Sequence, residues 1–231
     1  VSVSGRPSTD GRPDPSMSST VFPLAPHVHM AWLGPDIIAL DSLRDRYILL
    51  AGAGSALRSE GRGLVRLRNE ATRAALCDAG FLAAAPQAVR PPLPTARRAL
   101  EPPAMPTAPL MPRAFAFLDG LLATAAFRRR GFSQLIETAR SRRPRRRVRP
   151  QDAAAALECF YAIYPWLPWE GDCLQRAFLL HHHLHRRGVA CRWVFGVRTW
   201  PFLAHCWIQI DDLVVGDSLS RVGGFTLILA V

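Results

Sequence analysis

Several features are absent from this chain of 231 residues. None of its 29 basic residues is lysine, and ten arginines cluster between residues 128 and 149 beside a single acid, Glu137. Because this segment supplies most of the net charge of +11, the charge predicts a solvated basic connector and disfavours nucleic acid, with an anionic partner as the alternative. No apolar run reaches the roughly 18 residues of a membrane span, and no apolar signal segment opens the chain. We therefore expect a cytoplasmic protein without a membrane span.

Metal and cofactor motifs are also scarce. The five cysteines are widely spaced without a CxxC pair, which disfavours a disulfide framework or a zinc site. His181 and His185 lie one helical turn apart, but no third ligand accompanies them, so a polar helix flank is the better interpretation. No nucleotide-binding loop is present. We expect no metal and no cofactor.

The N-terminal part alternates between strand-like and helix-like patterns. Residues 1–20 are rich in Ser, Pro and Asp, which predicts a disordered leader. Three short apolar runs separated by turn residues predict three strands: Val28–Trp32, Asp36–Leu40 and Arg46–Leu50. A helix then follows, with Asn69 as its N-cap and Gly80 as its stop. This outline predicts a small winged-helix-like domain over residues 21–86.

The second half is predicted to be a separate domain. Nine prolines between residues 86 and 112 predict a semi-rigid linker over 87–112 that forms no core element. From residue 113 to 231 the pattern is helical first and then alternates with period two, which is an α+β order. Papain-like and transglutaminase-like folds have this order, with a nucleophile helix packed on an antiparallel sheet.

Cys173 is the candidate nucleophile. It falls in the first turn of a predicted helix that ends at Gly188, with Asp172 as a possible N-cap. Free backbone N–H groups and the helix dipole favour a thiolate at such a position. Ala177, Leu180 and Leu184 continue the same helix face, so the sulfur lies on the side that packs against the sheet. A plain core cysteine fits the same pattern.

His205 and Asp217 are the candidate base and its orienting carboxylate. On the predicted strand, His205 alternates with Trp207 and Gln209, a face suited to a cleft. A two-residue turn at Asp211-Asp212 would pair Asp217 with Cys206 and aim it at the wrong face, whereas a three-residue loop or a bulge at Gly216 would return it. Asp211 and Asp212 are weaker alternatives for the carboxylate.

These motifs resemble those of lasso peptide biosynthesis B proteins. The resemblance rests on the segment beginning Cys173-Leu174-Gln175, on Ala204-His205-Cys206-Trp207 and on Asp217. It implies a transglutaminase-like cysteine peptidase, covering about residues 114–231, that removes the leader of a ribosomally made precursor. It also implies a Cys173-His205-Asp217 triad and an asparagine-synthetase-like cyclase as partner. The family commonly has Ala-His-Ala-Trp, and an acidic residue where Gln209 stands here.

The N-terminal part resembles the precursor-recognition element of the same family, here fused to the peptidase. In this reading an edge strand adds the leader peptide as a further strand, and the Asn69–Ala79 helix forms the other wall. The predicted leader-binding residues are Tyr47, Ile48, Leu49 and Arg73. A DNA-binding winged helix is disfavoured because the helix carries one base, Arg73, against Glu70 and Asp78. A small structural domain is the other alternative.

Two rival functions fit the sequence. A transglutaminase or other acyltransferase would use the same three residues but pass the acyl group to an amine. A non-catalytic protein would keep the triad as a remnant and bind peptide or nucleic acid through the N-terminal domain and the arginine run.

Overall fold

The computed structural model describes residues 20–85, 90–141, 150–168 and 173–231. The predicted disordered leader therefore lies outside the described residues except for Thr20, as do Asp172 and residues 142–149 of the arginine run. Within the described ranges the chain combines helices with mainly antiparallel sheets. This confirms the predicted α+β class.

The N-terminal part contains two three-stranded antiparallel sheets and one α-helix. In chain order the elements are β1 (Val21–Pro23), β2 (Val28–Leu33), β3 (Asp36–Asp41), β4 (Arg46–Leu50), β5 (Leu57–Gly61), β6 (Leu64–Leu67) and α1 (Glu70–Asp78). The sheets have the orders β1-β6-β5 and β2-β3-β4. Six strands and a single α-helix in residues 20–85 do not confirm the winged-helix-like prediction.

The predicted ends of α1 are confirmed. Asn69 caps the helix, since its side-chain oxygen accepts a hydrogen bond from the backbone N–H of Thr72 at 2.8 Å. Gly80 follows with a φ of +71°, the left-handed conformation that ends many helices. Leu76 anchors the helix in the N-terminal core.

Strand β3 joins the two halves of the molecule. Ile37 and Ala39 face a small N-terminal core, whereas Ile38 and Leu40 belong to the main core of the C-terminal part. Successive side chains of a strand point to opposite faces, so one continuous apolar strand serves both cores. The boundaries 21–86 and 113–231 stay a prediction, but the two parts share an apolar contact through β3.

The C-terminal part packs helices against a five-stranded sheet. Its elements are β7 (Arg98–Leu100), α2 (Leu110–Arg128), α3 (Phe132–Ser141), α4 (Pro150–Ile163), α5 (Cys173–Arg186), β8 (Arg192–Arg198), β9 (Leu203–Ile210), β10 (Leu213–Val215), α6 (Leu219–Val222) and β11 (Thr226–Ala230). The sheet order is β11-β8-β9-β10-β7. Residues of α3, α4 and α5 form the main core with β8 and β9.

The prediction that the Pro-rich segment 87–112 forms no core element is wrong. Within it, β7 pairs in parallel with β10 and becomes the edge strand of the sheet. Its three residues contain no proline, and so they can supply the backbone N–H groups that the prolines around them lack. The guanidinium of Arg98 also contacts the Asp212 carboxylate at 2.6 Å.

Helix α2 has features that the prediction of no membrane span must be compared with. By length and apolar composition it is one candidate for a membrane-spanning helix among the described residues. Only Ala116, Ala123 and Thr124 of this helix are buried. The absence of a membrane span stays a prediction.

Arg90, near the start of the Pro-rich segment, forms hydrogen bonds with the N-terminal part. Its guanidinium donates to the backbone carbonyls of Val28 and Ala25, at 2.7 Å each, and lies 2.9 Å from Nδ1 of His29. We expect Arg90→Ala to lower the free energy of unfolding by about 2–4 kcal/mol, because buried carbonyls lose their donor. Urea unfolding followed by circular dichroism measures this loss.

The matched control is Arg192→Ala, which removes a single exposed hydrogen bond to the carbonyl of Pro92. We expect that variant to stay within about 0.5 kcal/mol of the parent. Equal losses in the two variants would contradict the anchoring role of Arg90.

Candidate functional site

Cys173 is the first residue of α5, as predicted. Ala177, Leu180 and Leu184 of the same helix face are buried in the main core, and the half-buried Cys173 packs against that core. The first backbone N–H groups of a helix have no partner within it, and their dipoles favour negative charge. The thiol is therefore placed where a thiolate is stabilised.

Two neighbours on β9 stabilise the thiolate further. The Cys206 thiol lies 3.4 Å from the carbonyl oxygen of Cys173, and Cys206 also contacts the Cys173 sulfur through its side chain and backbone. His205 forms a hydrogen bond with the same sulfur. The contacts with Cys206 and His205 outweigh burial and lower the pKa of the Cys173 thiol to about 4. By contrast, burial raises the pKa of the Cys191 thiol.

His205 links Cys173 to Asp217. Nε2 of His205 lies 2.7 Å from Oδ2 of Asp217, which leaves Nδ1 for the sulfur. Burial disfavours the charged ring, but the hydrogen bonds with Asp217 and Cys173 outweigh this effect and raise the pKa of His205 to about 8. Between these two pKa values the pair is a thiolate beside an imidazolium.

Asp217 is a buried carboxylate with several donors. Oδ1 accepts from the backbone N–H of Ser218 at 2.9 Å, and Oδ2 accepts from Arg176 at 3.3 Å. Although burial disfavours its charge, the hydrogen bonds with His205 and Ser218 lower the pKa of the Asp217 carboxyl. The carboxylate is therefore ionised at neutral pH and can fix the orientation of the imidazole.

Gly216 resolves the register problem that the sequence posed. The hairpin does have a two-residue turn at Asp211-Asp212, since Leu213 pairs with Ile210 and Val215 with Ile208. Strand β10 ends at Val215, and Gly216 adopts a φ of +75°, which turns the chain before Asp217 can pair with Cys206. Asp217 therefore reaches His205, while Asp211 and Asp212 remain in the turn.

Cys173 and His205 border an open cleft, whereas Asp217 is buried. The cleft has a volume of about 500 Å³, and its lining includes Cys173 and His205 together with Arg176, Arg198, Arg221 and Phe225. The Phe225 ring lies 5.4 Å from the His205 ring, and the Arg198 guanidinium stacks on Phe225 at 5.3 Å. The cleft is thus a cationic groove next to a nucleophile. Sequence reasoning missed its arginines because they come from three separate elements.

The predicted polar cleft face of β9 is only partly correct. Trp207 is buried in a small second core with Val194, Val214 and Val222, so the sheet is covered on both sides. Gln209 accepts from the Trp207 indole and donates to the carbonyl of Asp211, which is a structural role at the turn. Only the His205 end of this face opens into the cleft.

The predicted leader-binding residues lie in three different environments. On β4, Tyr47 packs against Phe202 with ring centroids 5.4 Å apart, Ile48 faces the N-terminal core, and Leu49 is exposed. Arg73 on α1 forms an ion pair with Glu70. Among the described strands, β4 pairs only with β3, so its outer edge is open.

Comparison with known proteins gives a family match for the C-terminal part. Residues 119–230 match the family described as the transglutaminase-like superfamily. These residues form a transglutaminase-like domain. The match contains α5, β9 and Asp217, and hence all three candidate residues.

One curated relative is the microcin J25-processing protein McjB of Escherichia coli. The match is 34% identical over 50 residues, which is 22% of this chain and 24% of the relative. The chain therefore spans about a quarter of the length of the curated relative it matches. No solved structure matches the chain. The family match and McjB together support its recognition as a lasso peptide biosynthesis B-type protein.

Proposed function

We propose that this protein is the leader peptidase of lasso-peptide maturation, acting on a ribosomally made precursor. The observation that carries the proposal is the continuous chain of contacts from Cys173 through His205 to Asp217 at the edge of an open cleft. The similarity to a microcin-processing protein supports a peptide as substrate. A nucleophile, a base and an orienting carboxylate are the groups that acyl transfer from an amide requires.

The reaction divides into two steps. In the first, the Cys173 thiolate attacks the carbonyl carbon at the junction of leader and core. A C–S bond forms, the C–N bond breaks, and the His205 imidazolium gives its proton to the departing amine. In the second, His205 takes a proton from water, whose oxygen attacks the thioester carbonyl carbon; the C–S bond breaks, the Cys173 thiolate is restored beside the His205 imidazolium, and the leader leaves as a free acid. Asp217 keeps Nδ1 of His205 directed at the sulfur throughout.

The oxyanion of each step would form beside the start of α5. The backbone N–H of Cys173 is the nearest donor by position in the chain, and the helix dipole adds favourable potential. Gln175 is not assigned as a donor, since its amide N–H binds the carbonyl of Pro168 at 3.2 Å and is buried.

The leader would bind along the open edge of β4. A peptide added there forms backbone hydrogen bonds with the strand, and the exposed side chain of Leu49 provides an apolar contact. Tyr47 on the same strand is packed on Phe202, which precedes β9 by one residue. A leader bound on β4 would therefore lie near β9, the strand that contains His205.

The proposed peptidase role implies two partners. The precursor binds through its leader, and an asparagine-synthetase-like cyclase then closes the macrolactam in the cytoplasm. The peptidase chemistry uses the side chains named above and needs no added cofactor.

The test is mass spectrometry of a lasso precursor incubated with the parent protein and with Cys173→Ala. We expect one cut that releases free leader acid with the parent protein and no cut with the variant. Cys77→Ala, which removes an exposed cysteine of α1, should cleave like the parent.

Other products would exclude the proposal. Leader joined to an added amine would indicate an acyltransferase. Cleavage that persists in Cys173→Ala would remove Cys173 as the nucleophile. A precursor that binds but stays intact even when the cyclase is present would indicate that this chain is a non-catalytic binding protein.

A further inference from the structure

A second cluster of metal-ligand side chains lies at the other end of α5. Among the described residues, His181, His185 and Cys191 place one ligand atom each within 4.8 Å of one another. His181 is buried, and the other two are half-buried. The sequence pattern did not indicate the third ligand, because Cys191 lies after the end of the helix. The chain turns at Gly188, which has a left-handed φ, and this turn returns Cys191 to the two histidines.

The other histidines of the run are engaged elsewhere. His182 faces Asp119, at 3.4 Å between Nε2 and Oδ1. His183 is buried, donates to the carbonyl of Ala156 at 3.0 Å and contacts Arg187 at 3.1 Å. The prediction of a polar helix flank is therefore wrong for His181 and His183. Only the pair at i and i+4 converges with a cysteine.

The local geometry suits a tetrahedral cation. Metal–nitrogen and metal–sulfur distances of about 2.0–2.1 and 2.3 Å put neighbouring ligand atoms about 3.3–3.6 Å apart. Side-chain rotations of the half-buried His185 and Cys191 can close the remaining gap from 4.8 Å. Nε2 of His185 contacts the Cys191 carbonyl at 3.3 Å, the type of hydrogen bond that orients a metal-binding imidazole through its other nitrogen.

A fourth position is accessible from an adjoining cavity. The cavity has a volume of about 420 Å³ and is lined by His185 and Cys191 together with Arg140, Arg192 and Asp211. The Arg192 guanidinium is engaged by the Pro92 carbonyl at 2.9 Å, and Asp211 is the acidic side chain of the lining. Water from the cavity can complete the coordination.

We propose that His181, His185 and Cys191 form a binding site for a Zn²⁺-type cation, which ties the end of α5 to the start of β8. The inference is independent of the proposed peptidase function. Its structural consequence is specific. Helix α5 carries Cys173 at its other end, and β8 pairs with β9, where Gly196 lies opposite His205. A cation here fixes the helix against the sheet that holds the base.

The test uses full-length Cys173→Ala protein, so that the active-site thiol cannot bind the probe. After treatment with a chelator, the protein is titrated with Co²⁺ and then with Zn²⁺. We expect one equivalent of cobalt, a thiolate-to-cobalt charge-transfer absorption, and its loss when Zn²⁺ displaces cobalt. Adding Cys191→Ala should abolish the absorption, whereas adding Cys77→Ala should leave it unchanged.

The histidine variants give a second measure. His181→Ala and His185→Ala should each weaken cobalt binding by more than about 100-fold, since even residues behind the ligands cost 10–100-fold when substituted. X-ray absorption of the zinc-loaded Cys173→Ala protein should show one sulfur at about 2.3 Å and at least two nitrogens. This readout does not depend on whether the ligand variants fold. No cobalt absorption, absorption that survives Cys191→Ala, or a zinc shell without sulfur would each overturn the proposal.

Discussion

Asp217→Asn should lower the cleavage rate constant by on the order of 10³–10⁴-fold, the size of effect seen when an orienting carboxylate becomes an amide. Oδ2 of Asp217 accepts from His205 Nε2 at 2.7 Å. An amide nitrogen at that position donates instead, which favours the tautomer with its proton on Nδ1. Nδ1 faces Cys173, so the ring can no longer accept the thiol proton. Single-turnover cleavage of the precursor measures the loss.

Asp212→Asn is the matched control for this change. Asp212 lies in the turn between β9 and β10, and its exposed carboxylate pairs with Arg98 instead of a histidine. We expect the rate constant of Asp212→Asn to stay within about threefold of the parent, because surface ion pairs contribute little. A rate constant for Asp217→Asn within tenfold of the parent would remove Asp217 from the mechanism.

Gly216→Ala is expected to give the largest loss of stability, about 2–5 kcal/mol. Its φ of +75° costs a residue with a Cβ about 1–2 kcal/mol. The added carbon would also lie 2.9 Å from Cδ2 of Leu180 and 3.1 Å from the Tyr161 hydroxyl, and such overpacking costs about 1–3 kcal/mol. Leu180 belongs to α5, so the clash also separates the Cys173 helix from Asp217. Thermal unfolding and cleavage assays measure the two effects.

Gly80→Ala measures the stability cost of the backbone conformation without the cost of overpacking. Gly80 has a similar φ of +71°, but nothing lies within 4 Å of the added carbon. We expect it to lose only about 1–2 kcal/mol and to cleave normally. If Gly216→Ala is no less stable than Gly80→Ala, the close packing of Gly216 on α5 is not important.

The sequence predicted the local features that depend on neighbouring residues. The strands β2, β3 and β4, the capping of α1 by Asn69 and the start of α5 at Cys173 all follow from short-range patterns. Apolar alternation and cap residues act within a few positions of the chain, so they are readable without tertiary structure. The α+β class followed from the order of these elements.

Features that depend on distant contacts were missed. The parallel pairing of β7 with β10 joins residues more than a hundred positions apart. Burial of Trp207 requires α6 and the segment around Phe225 to fold over the sheet. The direction of Asp217 depends on where β10 ends, and hairpin register alone could not give it. Cys191 likewise joins His181 and His185 only after Gly188 turns the chain.

If Cys173 is a thiolate paired with His205, the pH dependence of Cys173 alkylation reveals it. Iodoacetamide labelling is quantified by peptide mass spectrometry between pH 5.5 and 7, with the exposed Cys77 as an internal reference for accessibility. Because its pKa is about 4, Cys173 should react at an almost constant rate across this range. In His205→Ala the rate should instead rise with pH. A rate for the parent protein that increases about tenfold per pH unit, as for a thiol with a pKa near 8.5, would show that Cys173 is not a thiolate in this range.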